Sequence, residues 1–443
     1  MRDRSIASTL ALALICLGPG PALAAGKPTP PPAYTLVDLG GDGLGSGAYA
    51  ISSFGIAAGF GLVQAAQPHA VRFSDRQVED LGTLGGDASV ARSVNRWGEC
   101  AGWARLPSGD HHAFFTDTRG MHDLGTLGGH TSDAAAISDD GTVVGSSFLS
   151  DDRVEVPFVW TPKQGMRLIE LPGLSGRALD INRNSEIVGY GLTDVGELHG
   201  FLMRGETVTD LGTLGGANSK AYAINDEGVA VGYSLTGGDP PFFHAVAWRS
   251  GEIQDLGVLP GGHSVANDIN DRGDIVGFSY TVGDTQVATL FHGGQVVDLN
   301  TLVAPGSGWI LNAAFSVNDA GVIAGVGTYQ GLLRAFELDP AVTIPAPVQD
   351  PGEPAFAVRV APSIVSTSAS LELSLPRDAN VRLDALDVSG RRVGSLDLGV
   401  VPAGARALDL ANLVPSGAHA GVYFVRLAAD GTLRSKTRFV LAR

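Results

Sequence analysis

Apolar positions along this chain come in short runs of about five residues, rich in Val, Ile, Phe and Ala and closed by glycine or by an Asn-Asp turn. Runs of that length with those boundaries predict strands. The runs also recur in a fixed order. A tetrad Asp/Glu-Leu-Gly-x stands at Asp38, Asp80, Asp123, Glu170, Asp210, Asp255 and Asp298, most often inside DLGTLGG. Behind each acid comes I-N-D-x-G-x-V-V-G or a variant, whose last glycine is Gly59, Gly102, Gly145, Gly189, Gly232, Gly277 and Gly325 in turn. Next comes H-A-F-like sequence: His69-Ala70-Val71, His112-Ala113-Phe114, His199-Gly200-Phe201 and His244-Ala245-Val246, with Pro157-Phe158-Val159 and Ala288-Thr289-Leu290 as degenerate copies. Successive copies of the glycine lie 43 residues apart (Gly59 to Gly102) to 48 apart (Gly277 to Gly325).

Four strands per period of this length predict a propeller blade. The run before the Asn-Asp turn is poor in bulk, as in Ala134-Ala135-Ala136, which suits the crowded strand beside a propeller axis. DLGTLGG then becomes the crossover from the outer strand of one blade to the inner strand of the next. Tyr34 to Leu39 is left as an outer strand without a blade, and Arg334 to Leu338 as a third strand without a fourth. Pairing the two ends closes a seven-bladed β-propeller over residues 34–340, leaves no sheet edge exposed, and should bury Leu36 and Leu39.

The flanking segments read differently. Residues 1–24 have Arg2 and Arg4, an apolar run from Ile6 to Leu17, helix breakers and Ala22-Leu23-Ala24, the order of a secretory signal with its cleavage site. Residues 25–33 and 341–355 are proline-rich linkers. From 356 to 443 short alternating runs (Leu371, Leu373, Leu375; Val381, Leu383; Val422, Phe424) separated by turns such as Ser389-Gly390 and Asp430-Gly431 predict about seven strands in an Ig-like β-sandwich.

These motifs carry two resemblances. The repeat over residues 34–340 resembles that of the HAF family of extracellular repeat proteins, which implies export and architecture but no catalytic residues. The strings LPRDANVRLDALDVSGRRVGSLDLG, PSGAHAGVYFVRL and TRFVLAR resemble the type A sorting domain of type IX secretion substrates and the Ig-like domain of flagellar hook-capping proteins. The second resemblance implies secretion machinery as a partner.

Composition narrows the function. Asp+Glu 46 against Lys+Arg 30 gives a net charge of −16 over 443 residues, which argues against nucleic acid as partner. After residue 25 no apolar stretch is long enough to cross a bilayer, so no transmembrane segment is expected. Of the two cysteines, Cys16 lies in the signal, leaving Cys100 without a disulfide partner. It aligns with Ala57, Val143 and Ile187 and is expected in a core slot. G-x-S-x-G, H-E-x-x-H, C-x-x-C and Walker patterns are absent, and neither cofactor nor metal is expected.

Residues repeated in every copy read as structure: the DLG acids, the HAF histidines with one internal hydrogen bond each, and Asn-Asp turns in which Asn accepts backbone bonds while glycine takes the left-handed conformation. Function is expected where copies differ, on the face carrying the crossovers and the loops between second and third strands. The candidate ligand-binding residues there are Trp309 in the longest crossover, His130, His263 and Asp87 after the Gly-Gly pairs, and Asp151, Asp152 and Arg153 in the most charged loop. The reading is an exported, non-catalytic binding or scaffold protein, secreted, on the cell surface or in the periplasm, with a glycan or another surface protein as ligand. An enzyme on extracellular polysaccharide, lyase or glycosidase, would need paired carboxylates or a His/Tyr/Arg set converging on the funnel. A purely structural envelope component is the third alternative.

Overall fold

The computed structural model describes residues 32–40, 45–62, 67–74 and 77–340, and in the C-terminal part 357–361, 364–365, 369–387, 392–414, 418, 421–429 and 432–441. The signal at 1–24, nearly all of the 25–33 stretch, the 341–355 linker and the turns Ser389-Gly390 and Asp430-Gly431 lie outside the described residues. The chain divides into two compact units, Met1–Ala341 and Val342–Arg443.

The first unit is all-β and propeller-like. Four consecutive strands form an antiparallel meander in Ser46–Ile51, Ala57–Leu62, Pro68–Ser74 and Gln77–Asp80. The same order repeats over 89–123, 128–168, 176–210, 215–257 and 264–298. A single parallel bridge, Leu198 to Asn218, joins the 176–210 and 215–257 meanders. The last sheet, Trp309–Val317, Ile323–Tyr329 and Leu332–Pro340, takes its fourth strand from the other end of the unit: Tyr34–Gly40 pairs with Leu332–Pro340, Tyr34 opposite Pro340 and Asp38 opposite Phe336. Tyr34 and Leu39 are buried by this pairing, whereas Leu36 is only half-buried.

The core lies between sheets. Each apolar cluster joins two consecutive meanders: Ala58 and Ala70 pack with Ala91, Cys100 and Phe114, Ala101 and Ala113 with Ala134 and Phe158. The succession returns on itself where Ala324 and Ala335 of the last sheet meet Ala48, Val71 and Phe73 of the first. Every first strand carries a β-bulge near its end, as between Ala221 and Ala223. The bulge presses its backbone onto the second strand, and this explains the last glycine of V-V-G: a Cβ on Gly232 would fall well inside contact distance of the Lys220 carbonyl.

Two expected crossover residues prove to be strand residues. Gly128, at φ 109°, turns the chain into the strand Gly128–Ile137, so His130 lies inside it. Trp309 opens the strand Trp309–Val317, behind a single 3-10 turn at Leu299–Thr301.

In the second unit the described residues form a three-stranded sheet (Ala357–Ala361, Ser370–Leu375, Gly404–Asp409) and a five-stranded one (Ile364–Val365, Thr432–Leu441, Gly421–Ala429, Ala379–Asp387, Arg392–Val401). Leu371 and Leu373 of the first pack with Val381, Leu383, Val425 and Leu427 of the second in one core.

Candidate functional site

At one end of the first unit the first strands run into their Asn-Asp turns around a depression of about 200 Å³. Here most polar groups are held by one another, and Arg96 lies 3.4 Å from Asp139. Asn270 Oδ1 accepts from the backbone N–H of Arg272 and Asp274, closing its own turn. Gly273, at φ 81°, supplies the left-handed residue. Asn270 Nδ2 also donates to the carbonyl of Asn318 in the next sheet. The same step runs from Asn95 to Ser138, Asn182 to Asn225, Asn225 to Asn270, and Asn318 to Ser52. A parallel set joins neighbouring turns through the acids, with the N–H of Asp226 on Asp271 and that of Asp271 on Asp319. Arg183 reaches over the depression to Asp226 at 3.0 Å and to Asp139 at 3.6 Å.

Other repeated residues are spent on structure too. His69, His112, His199 and His244 hold through Nδ1 the DLG carboxylates of Asp80, Asp123, Asp210 and Asp255 at 2.8–2.9 Å. Each of these carboxylates also accepts the N–H of the glycine two residues on. In the closing sheet Arg334 replaces the histidine and binds Asp38. Cys100 fills its core slot, and burial pushes its thiol up to about 12.

Where the bulge occurs, two copies hold a carboxylate that the sequence reading missed. Asp180 accepts the N–H of Ile224, while Asp268 accepts those of Ile269 and Val317 and the hydroxyl of Ser316. Burial raises Asp180 to about 6 and, together with the charge of Asp180, Asp268 to about 7. Both residues are half-buried rather than sealed off, which tempers the effect. Their signal in the sequence was an acid where the other copies have Ala50, Ser93, Ala136, Ala223 and Ser316.

The opposite end, reached by the crossovers, is different. Arg92 and Asp133 form a two-pronged ion pair between adjacent sheets, and Arg177 does the same with Glu155. Beside them the Lys220 ammonium sits 4.1 Å from the centroid of the Tyr190 ring. Burial and the charge of Arg177 lower its pKa. From Tyr222 a continuous line of rings leads outward: Tyr222 to Tyr233 at 5.9 Å, Tyr233 to Phe243 at 6.0 Å, and Phe243 stacked on His263 at 4.1 Å. His263 also meets Phe242 at 5.0 Å and Tyr280 at 6.1 Å. Apart from Phe242, which is exposed, these rings are half-buried. Among the described residues, Lys220 has no carboxylate partner, and the hydroxyls of Tyr190, Tyr222 and Tyr233 have no hydrogen-bond partner within the chain. Burial pushes all three phenols up.

The candidates read from the sequence are scattered. His130 and Asp152 come together: Asp152 accepts the N–H of His130 and pairs with its imidazole, raising the histidine. Asp151 accepts the N–H of Arg153 in the same exposed loop. Asp87 pairs with Arg105. Trp309 stacks on Tyr329 at 5.2 Å and packs against the core of the closing sheet. His263 alone joins the line of rings. Among the described residues no group of three or more His, Cys, Asp or Glu could hold a metal ion, and no helix is long and apolar enough to cross a membrane.

The sequence matches no protein-family model and no curated protein. Solved structures similar to the chain include PorZ, an essential bacterial surface component of the type-IX secretion system of Porphyromonas gingivalis, at 13% identity and TM-score 0.38, covering 88% of this chain and 58% of that one. TolB from Acinetobacter baumannii is similar at 13% identity and TM-score 0.35, covering 54% and 63%. A putative gluconolactonase is similar at 9% identity and TM-score 0.38, covering 70% and 93%. The chain thus spans about 60% of the length of the first two.

Proposed function

We propose that the chain is an exported seven-bladed β-propeller followed by an Ig-like sandwich. In this reading it is a non-catalytic surface protein that binds a glycan along the aromatic line at the crossover end. Seven four-stranded units with a borrowed closing strand support the blade count, and the signal-like segment and the HAF-like repeat support export. The observation that carries the binding reading is the contrast between the two ends. At the turn end most polar groups are engaged with one another, whereas at the crossover end phenol hydroxyls lack hydrogen-bond partners, an ammonium lacks a carboxylate, and a row of rings stays half-buried among the described residues. Flat rings in series offer stacking area to successive sugar rings, and hydroxyls between them orient the chain.

Catalysis is the weaker reading. Asp133 and Glu155 are each committed to an arginine, and the phenols are pushed away from the neutral range where an acid or base works well.

A glycan array probed with the full chain tests the proposal. Tyr233→Ala should abolish the strongest signals, while Glu227→Ala, exposed at the turn end, leaves them intact. No glycan signal, or loss with Glu227→Ala alone, overturns it; capture of a protein partner insensitive to Tyr233→Ala would point to another surface.

A further inference from the structure

Lys220 stands opposite Tyr233 of the aromatic line and covers the Tyr190 ring, which itself lies opposite Arg177. Arg92 is paired with Asp133 and Arg177 with Glu155, so of these three cations Lys220 is the one without a carboxylate partner among the described residues. Removing an ammonium from bulk water without a counter-ion is costly, and the contact with Tyr190 offsets only part of that cost. A bound anion would supply what is missing. The surrounding chain sets the limit on that anion: with a net charge of −16, the protein repels a polyanion at low ionic strength, and salt screens that repulsion beyond a Debye length of about 10 Å while leaving a direct contact with the ammonium less affected.

We propose that the mouth takes a saccharide carrying one isolated carboxylate, its acidic sugar unit seated against Lys220 and its neutral units laid outward over Tyr233, Phe243 and His263. This inference deepens the glycan-binding reading and rests on it. The arrangement assigns each part a role. The rings hold the neutral units in series, and the single uncompensated ammonium selects the acidic one. The hydroxyl of Tyr190, whose ring the ammonium covers, is offered to the sugar beside the carboxylate.

The test is an array of matched pairs, each neutral oligosaccharide beside the same oligosaccharide bearing one uronic or sialic acid, with polygalacturonate as the polyanion. It is probed with the full chain at low and high salt. The singly acidic member of a pair should bind about tenfold or more tighter than its neutral partner, and polygalacturonate should gain nothing further. Lys220→Met, which keeps the aliphatic stem, should erase the difference within a pair and Lys220→Arg should keep most of it, while Glu227→Ala, exposed at the turn end, should leave both members of a pair bound as by the parent. Thermal melting of both Lys220 variants separates loss of charge from loss of fold. Binding that depends on Tyr233 but ignores the carboxylate would overturn this inference and leave the glycan reading standing. Preference for polygalacturonate would overturn the single-acid claim. Absence of all glycan binding would overturn both readings.

Discussion

Asn270 shows how much one repeated side chain can carry: it accepts two backbone N–H groups in its own turn and donates to a carbonyl of the next sheet. The turn role was legible in the N-D-x-G pattern, because an Asx turn is local. The bond to the next sheet was not, since its partner lies 48 residues away. Asn270→Ala should cost about 2–3 kcal/mol in urea unfolding by leaving buried groups unpaired, and Asn270→Asp, which keeps the acceptor but turns a carboxylate oxygen toward the Asn318 carbonyl and Asp274, should cost at least as much. Asp180 and Asp268 make a different prediction. Their folded pKa values, about 6 and about 7, lie above the ordinary 3.8, so the folded state holds the proton more tightly than the unfolded one. Their contribution to stability is therefore fully present below about pH 4 and is lost as pH rises through 6 and 7. The double variant Asp180→Asn, Asp268→Asn should flatten that decline, on the order of 1–2 kcal/mol at pH 8, read from melting curves across pH 4–8. Parallel curves for variant and parent would count against it.

The first strands illustrate what periodicity could and could not show. Small residues such as Ala134 and Ala221 marked them as the crowded strands, and both are fully buried. The bulge was hidden, because one extra residue breaks the alternation on which side-chain direction is read. Without the bulge, the half-buried residues of these strands, Tyr222 and Asp268 among them, could not be separated from those packed between sheets. The aromatic line was missed for the same reason: Tyr222, Tyr233 and Phe243 come from three strands, and only their register brings them together. The bulge also gives the repeated glycine its test. Gly232→Ala should destabilise by about 3 kcal/mol through a clash with the Lys220 carbonyl; an unchanged melting temperature would mean that the strands can part at that point at no cost.

Closure was the most legible feature, because counting strands left one unpaired at each end. Tyr34–Gly40 does pair with Leu332–Pro340, and Arg334 with Asp38 takes over the contact that histidine makes elsewhere. Deleting residues 34–39 removes the buried Tyr34 and Leu39, about 1.5–3 kcal/mol each, and leaves an open edge, so the melting temperature should fall by several degrees. The site was less legible than the ring that carries it. Variation between copies pointed to the crossover end, yet Trp309 serves the core and His130 serves Asp152. The central claim is that one end of the ring is spent on structure and the other receives ligand. Hydrogen–deuterium exchange of the full chain, with and without an oligosaccharide positive on the array, tests it most directly. The account predicts added protection in peptides covering 215–223, 230–236 and 243–249 and none in the Asn-Asp turns; protection confined to the turns, or none at 230–236, would contradict it.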